Sequence, residues 1–237
     1  MKTIAVLTAM QQELDAVLEL FASANPSKTE LYGMPVYIFE HNEIKFILAL
    51  SGVGRTNTAL NTALIAREFK PSEIINVGTA GGLQTEQKIL DIVIPKEVVA
   101  VDVDLTALGC EYGQVLGEPK SYYTDEKLQS KLVEAAAALT NVHTGTVGSS
   151  EAFICQSEQV HEIHRRFNNR VVCVEMEAFS IAVVCNRFKI PFAVIRSLSD
   201  VPASGEGNEH DFNAFLCKAS SNAAKLLFGY VSTGFSE

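Results

Sequence analysis

Strand-like and helix-like segments alternate along almost the whole chain. Strand patterns are predicted at 3–9, 34–40, 44–50, 73–80, 142–149, 171–175 and 191–200, and helical patterns at 11–23, 55–69, 124–139, 157–167, 177–188 and 211–229. No proline-, glycine- or serine-rich stretch is long enough to separate two domains, and no internal repeat is found. The alternation predicts one α/β domain over residues 1–237, with a mixed and mostly buried β-sheet flanked by helices.

The composition excludes several classes of protein. With 47% hydrophobic and 20% charged residues, the chain is expected to be soluble and globular. The apolar run at 3–9 leads into Gln11-Gln12-Glu13 instead of a cleavage site, so we interpret it as a buried strand and not a signal peptide. Five widely spaced cysteines without a C-x-x-C pair favour reduced thiols in the cytoplasm. The net charge of −9 argues against nucleic acid or an anionic membrane as the main partner.

Two glycine-rich turns follow predicted strands, and ligands bind at the carboxyl ends of strands in α/β sheets. The turns are Ser51-Gly52-Val53-Gly54 and Gly78-Thr79-Ala80-Gly81-Gly82. Each alone is typical of a tight strand–helix connection, and neither matches the dinucleotide or phosphate-loop motifs. Their common position after strands favours a binding role, because glycine lets backbone N–H groups approach a ligand.

Four acidic residues belong to the same predicted edge: Glu13, Glu175, Glu177 and Asp200. Singly, Glu13 suits a helix dipole, Glu175 an ion pair with Arg196, and Asp200 a turn or cap. Together they would repel one another, which indicates a chemical role. Glycosidic cleavage needs such a set: one protonated carboxyl assists the leaving group, and an ionised one activates water or stabilises the sugar cation.

Other catalytic patterns are not supported. His161 and His164 stand in a charged helix without the H-E-x-x-H motif, which favours a solvated helix face. The chain has no G-x-S-x-G elbow for a serine or cysteine hydrolase. We therefore expect no metal and no cofactor.

A series of motifs stands in a characteristic order: AMQQEL, SGVGRTNTA, INVGTAGGL, DVDLTALGCEYGQ, SSEAFI, VEMEAFSIAVVC, RSLSDV and DFNAFL. In order and spacing they resemble the methylthioadenosine/S-adenosylhomocysteine nucleosidases of the nucleoside phosphorylase superfamily. The resemblance covers residues 3 to about 228. It implies a nucleoside phosphorylase-like fold and a hydrolase that releases adenine and a 5-thioribose from 5′-substituted adenosines.

The resemblance also implies residue roles. Asp200 would protonate N7 of the leaving adenine, Glu13 would position and activate water, and Glu177 would bind the ribose hydroxyls. Glu175 would either act in the site or only pair with Arg196. The further implied contacts are Met176 beneath the sugar, Phe153 on the purine face, Ile154 at its edge, Val53 and Phe212 around the 5′-alkylthio group, Ser199 on Asp200, Arg196 on the glutamates, and Met10, Thr79, Ala80 and Gly81.

Some positions depart from the family pattern. Ala100-Val101-Asp102 replaces an aromatic-His-Asp run found in many members, and Leu108 replaces an aromatic residue. These changes affect the 5′-substituent pocket and not the cleavage chemistry. The glycine-containing loop 201–211 is two residues longer and is expected to act as a lid.

A homodimer is also expected from the resemblance. The loop 102–119 would lie at the interface, with each subunit completing the other's 5′ pocket. Leu105, Leu108 and Leu116 would otherwise form an exposed apolar patch.

Three other functions stay open. A phosphorylase needs cations to hold phosphate beside C1′. Many carry an arginine where this chain has Asn76, which favours water as the nucleophile. A non-catalytic binding or storage relative is expected to lack Glu13, Glu177 or Asp200. Cleavage of futalosine-type nucleosides would keep the chemistry and change the substrate.

Overall fold

A mixed β-sheet forms the centre of the molecule in the computed structural model, which describes residues 2–136, 141–204 and 208–233. Its strands are β1 Lys2–Thr8, β2 Ser27–Leu31, β3 Met34–His41, β4 Ile44–Leu50, β5 Glu73–Gly82, β6 Ile92–Val93, β7 Glu97–Ala100, β8 Ser121–Tyr123, β9 Val142–His143, β10 Thr146–Ser149, β11 Val171–Glu175 and β12 Phe192–Asp200. The helices are α1 Gln11–Leu20, α2 Arg55–Phe69, α3 Glu126–Ala136, α4 Ser157–Phe167, α5 Ala178–Phe188 and α6 Asn208–Thr233.

The sheet combines parallel and antiparallel pairs. Its strands follow the order β2-β3-β4-β1-β5-β11-β10-β7-β8, while β12 pairs with β5 and β6, and β9 with β6. β1 runs parallel to β4 and β5, and β12 runs parallel to β5. Parallel neighbours end at the same edge, so the carboxyl ends of these four strands meet. The prediction of an α/β fold with a mixed sheet is confirmed.

Both faces of the central sheet are buried, because strands such as β1 alternate between two apolar cores. In β1, Ile4 and Val6 pack into the core shared with α1, α3 and α6, whereas Ala5 and Leu7 pack into the core shared with α2 and α5. Burying an Ile, Val or Leu side chain contributes roughly 1.5–3 kcal/mol. The period of two that predicts this strand therefore also determines which helices cover it.

Several strand predictions differ from the structure. No strand is predicted at Ser121–Tyr123, yet β8 pairs there with β7. The strand predicted at 142–149 is divided into β9 and β10, because the chain turns at Gly145 (φ 153°) and exchanges its partner β6 for β7 and β11. No strand is predicted at Ser27–Leu31, yet β2 pairs there with β3. β2 is a polar and mostly exposed strand, so it carries no apolar alternation.

The helix predictions agree with the structure apart from their ends. α3 covers Glu126–Ala136 of the predicted 124–139, of which 137–139 lie outside the described residues. α6 begins at Asn208 and ends at Thr233, longer than the predicted 211–229. Within the described ranges, no helix combines the length and the apolar character that a bilayer crossing requires.

Candidate active site

A cavity of ≈ 210 Å³ opens at the edge where the parallel strands end. The ends of β1, β5, β11 and β12, the turn after β4, the loop after β10, and helices α1 and α6 form its wall. The lining residues are Ala9, Met10, Glu13, Val53, Thr79, Ala80, Gly81, Ala152, Phe153, Ile154, Val174, Glu175, Met176, Glu177, Ser199, Asp200 and Phe212.

Every site residue predicted from the sequence lines this cavity, except Arg196. Arg196 is 1% exposed and lies behind Glu175 and Glu177. The structure adds Ala9, Ala152 and Val174 to the wall. These small apolar residues carry no chemical signature, and their position next to predicted site residues is the one signal that could have found them.

Glu13 is held by backbone donors from two separate elements. It is the third residue of α1, and its Oε2 accepts the N–H groups of Ala9 at 2.9 Å and Met10 at 3.1 Å. Its Oε1 accepts the N–H of Thr79, in β5, at 2.9 Å. A Cβ at Gly78 would lie 2.7 Å from Oε1, so glycine is what lets the carboxylate approach β5. Burial raises the pKa of Glu13, although Arg196 and the backbone donors oppose the rise.

Glu175 is engaged by the protein on both oxygens. Its Oε2 pairs with Arg196 and accepts the N–H groups of Glu177 at 3.0 Å and Ala178 at 2.8 Å, at the start of α5. Its Oε1 accepts the hydroxyl of Ser149. Glu175 is expected either to act in the site or only to pair with Arg196, and the geometry favours the pairing.

Glu177 has one oxygen tied to the turn after β4. Its Oε1 accepts the N–H of Gly54 at 3.0 Å, and its Oε2 lies 3.9 Å from Arg196 Nη2. Burial, and then the charge of Glu175, raise the pKa of Glu177. Burial lowers the pKa of Arg196, but the charges of Glu175, Glu177 and Glu13 outweigh this and raise it, so the guanidinium is the resident cation of this acidic cluster.

Asp200 ends β12, and its two carboxyl oxygens have different surroundings. The hydroxyl of Ser199 donates to its Oδ1 at 2.8 Å, whereas the buried Oδ2 has no hydrogen-bond partner among the described residues. A Cβ at Gly81 would lie 3.2 Å from Oδ2. Burial raises the pKa of Asp200 to about 6, assisted by the charge of Asp211 and opposed by Ser199. A buried carboxyl with a raised pKa and a free oxygen is suited to donate a proton.

Apolar side chains form the opposite wall. The rings of Phe153 and Phe212 meet edge to face, with centroids 5.3 Å apart. Val53 is 44% exposed and Phe153 41%, so this wall stays open to solvent. Of the predicted lid, residues 205–207 lie outside the described residues.

The cavity wall contains no lysine, arginine or histidine among the described residues. The described residues also contain no group of three or more His, Cys, Asp or Glu side chains arranged to hold a metal ion. Asn76 is directed inward: its Nδ2 donates to the carbonyl of Leu7 at 3.0 Å, and its Oδ1 accepts from Arg196.

The fold is a mixed β-sheet flanked by helices, and its strand ends place a cluster of acids in one cavity with an aromatic wall. This arrangement is typical of enzymes that act on small molecules. A family model described as the phosphorylase superfamily matches residues 3–232. The 5′-methylthioadenosine/S-adenosylhomocysteine nucleosidase of Bacillus subtilis (strain 168) is 37% identical over 227 residues, which cover 94% of this chain and 96% of that protein.

Solved structures also resemble this chain over nearly its whole length. The nucleosidase of the same description from Neisseria meningitidis, in complex with methylthio-immucillin-A, has a TM-score of 0.90 and 36% identity, covering 99% of this chain and 100% of that one. A futalosine hydrolase of Helicobacter pylori strain 26695 has a TM-score of 0.92 and 29% identity, covering 98% and 97%. The chain belongs to the phosphorylase superfamily and, within it, to the 5′-methylthioadenosine/S-adenosylhomocysteine nucleosidases, a family of N-glycosidic hydrolases. The expectation of an enzyme is confirmed.

Proposed function

We propose that this enzyme hydrolyses the N-glycosidic bond of 5′-methylthioadenosine, S-adenosylhomocysteine and related 5′-substituted adenosines, and releases adenine and a 5-thioribose. The observation that carries the proposal is the buried Oδ2 of Asp200, which has no hydrogen-bond partner among the described residues and faces the same cavity as the carboxylate of Glu13. Relatives named for this activity cover nearly the whole chain.

Asp200 acts as the general acid at N7 of adenine. Adenine leaves poorly as an anion, so protonation of the ring lowers the barrier to bond cleavage. The raised pKa of about 6 keeps a proton on Asp200 far above the range of an ordinary aspartate. Ser199 orients the carboxyl through Oδ1 and leaves Oδ2 directed at the base.

Glu13 positions and activates the attacking water. The N–H groups of Ala9, Met10 and Thr79 hold its carboxylate still, so little reorganisation is needed during the reaction. The sugar develops positive charge in an oxocarbenium-like transition state, which the neighbouring carboxylates stabilise. Arg196 keeps this acidic cluster together from behind the wall.

The remaining lining residues bind substrate. Glu177 accepts hydrogen bonds from the ribose hydroxyls, and Met176 packs beneath the sugar. Phe153 stacks on the purine. The Ile154 backbone contacts the purine edge, and Val53 and Phe212 surround the 5′-substituent. Their common support is that all of them line one cavity of ≈ 210 Å³.

Water is the nucleophile in this proposal and phosphate is not. Arg196, the cation nearest the acids, already pairs with Glu175, and Asn76 is bonded to Arg196 and Leu7. The cavity wall itself offers no lysine, arginine or histidine among the described residues, so a phosphate dianion would meet carboxylates without a cation to bind it.

Futalosine-type nucleosides are a second candidate substrate class. The futalosine hydrolase of Helicobacter pylori has the same fold with 29% identity over nearly the whole chain. The aromatic wall is open to solvent at Val53 and Phe153, which leaves room for a larger 5′-substituent.

The active enzyme is proposed to be a homodimer. Leu108 is 63% exposed and Leu116 62%, both in the loop 102–119, and Leu60 on α2 is 62% exposed. Leu105 is half-buried and contributes less to this surface than the sequence indicates. A monomeric mass in solution at micromolar concentration would contradict the dimer.

The decisive experiment measures adenine release from methylthioadenosine in phosphate-free buffer, with Asp200→Asn as the comparison. Rapid release that the variant loses supports a hydrolase with Asp200 as acid. Release that requires added phosphate would identify a phosphorylase. If methylthioadenosine is not cleaved under either condition, futalosine and then simple ligand binding are tested in the same way.

A further inference from the structure

Three charged side chains form a closed set of contacts at the rim of the cavity. Arg55 Nη2 donates to Asp102 Oδ2 at 2.7 Å, and the backbone N–H of Glu151 donates to the same oxygen at 2.9 Å. The carboxylate of Glu151 in turn accepts the backbone N–H of Arg55 at 2.8 Å. We call Arg55, Asp102 and Glu151 the rim bridge.

The rim bridge joins parts of the sheet that are far apart. Arg55 follows β4, Glu151 follows β10 and Asp102 follows β7. In the sheet, β1, β5 and β11 lie between β4 and β10. The bridge therefore links segments on either side of these three strands, of which β1 leads to Glu13 and β11 ends at Glu175.

The rim bridge is also adjacent in sequence to residues that contact or line the cavity. Gly54, next to Arg55, donates its N–H to Glu177, so two consecutive N–H groups at the start of α2 bind carboxylates from two other segments. Phe153, two residues after Glu151, lines the cavity. A Cβ at Gly54 would lie 2.9 Å from Glu151 Oε2, which shows how closely the two loops meet.

We propose that Arg55, Asp102 and Glu151 are positioning residues that hold the Gly54 N–H on Glu177 and fix the loop that carries Phe153, and that they set substrate affinity without taking part in bond cleavage. This inference rests on the proposed nucleosidase function. None of the three lines the cavity, so they act through Gly54 and the loop after β10. The side chains of Arg55 and Asp102 are 19% and 27% exposed, so salt weakens their contact.

The kinetic test uses Asp102→Asn, Arg55→Met and the double variant, with methylthioadenosine as substrate. Each single change is expected to raise KM about five- to tenfold with kcat within about twofold, because a uniform loss of binding raises KM alone. The double variant is expected to resemble the worse single variant, since either change opens the same bridge. Arg55→Lys should restore part of the affinity, and added salt should raise the KM of the wild type more than that of Asp102→Asn.

The matched control is Glu162→Gln, which removes an exposed ion-pair partner of Arg165 and Arg166 on α4, away from the cavity wall. Its KM should equal that of the wild type. Additive effects in the double variant, an unchanged KM, or equal losses in kcat would each overturn the positioning role.

Amide hydrogen exchange tests the bridge without substrate. The N–H groups of Gly54 and Arg55 should exchange at least about tenfold faster in Asp102→Asn than in the wild type or Glu162→Gln, with the remaining helices protected as before. Unchanged exchange at both amides would overturn the inference. If the wild type releases no adenine from methylthioadenosine, the proposed function fails, and the exchange result still decides whether the bridge holds the two loops.

Discussion

Glu13 Oε1 and the backbone N–H of Thr79 lie 2.9 Å apart, although 66 residues separate them in the chain. Together with the N–H groups of Ala9 and Met10, this contact fixes both oxygens of a buried carboxylate at the cavity wall. Burial and the N–H donors act on its pKa in opposite directions, and burial prevails. The position of the Glu13 carboxylate therefore depends on the turn that leads into α1 and on β5.

Glu13→Gln should lower kcat by about 10²- to 10⁴-fold, because the amide cannot accept a proton from water. The measurement is adenine release at saturating methylthioadenosine. Asp15→Asn serves as the control, since Asp15 is exposed on the same helix and is hydrogen-bonded to Gln11. A Glu13→Gln enzyme within about twofold of the wild type would exclude Glu13 as the base.

Gly78→Ala should lower kcat/KM by about 10²-fold, the effect of moving a catalytic group by about 1 Å. Its new Cβ would lie 2.7 Å from Glu13 Oε1 and 3.2 Å from Arg196 Nη1. Gly229→Ala is the control: among the described residues, a Cβ there meets no atom within 4 Å beyond its own helix, and alanine favours a helix by roughly 0.5–1 kcal/mol. Equal activity of the two variants would contradict the close packing at Gly78.

Arg196→Met should lower the free energy of unfolding by about 3–5 kcal/mol, because it leaves Glu175 buried without its cation. Urea unfolding at pH 7.5 measures the loss. Arg165→Met removes an exposed ion pair on α4 and should leave the transition midpoint nearly unchanged. Adding Glu175→Gln to Arg196→Met should recover part of the stability, and a lack of recovery would argue against the ion pair as the cause.

Asp200→Asn should stabilise the free enzyme, increasingly so as the pH rises. An unfolded aspartate ionises near pH 3.8 and Asp200 near 6, so between these values the folded state binds more protons and wild-type stability falls with rising pH. The asparagine variant has no proton to lose. The free energy of unfolding of the variant should exceed that of the wild type by nothing below pH 4 and by about 3 kcal/mol above pH 6. The difference grows by about 1.36 kcal/mol per pH unit in between.

Urea unfolding at about pH 4, 5 and 7.5 follows this difference, with Asp15→Asn as the matched exchange at an exposed position. A difference between wild type and Asp200→Asn that does not change with pH would mean that Asp200 is not buried with a raised pKa. The same result would remove the support for Asp200 as general acid.

Much of the site follows from strand order along the chain. The acids and glycine turns stand directly after apolar runs, and parallel strands bring such ends together. Glu175 shows the limit of this reasoning, because it stands only two residues before Glu177 and the sequence does not separate their roles. The contacts with Arg196, Ser149 and the start of α5 show that both oxygens of the Glu175 carboxylate are bound by the protein. The strand break at Gly145 and the edge strand β2 likewise depend on pairing partners, which no local pattern contains.

By itself, the sequence determined the α/β class, the strand ends that line the cavity, and the family, because apolar periodicity and local motifs are properties of neighbouring residues. The tertiary structure alone decided that Gly54 meets Glu177 and that Arg55 meets Asp102 and Glu151. It also decided that Asp200 Oδ2 is buried without a hydrogen-bond partner in the part of the chain that the structure describes. Those features join residues 47 to 123 positions apart, or depend on the exclusion of water, and both arise only when the sheet brings its distant strands to one edge.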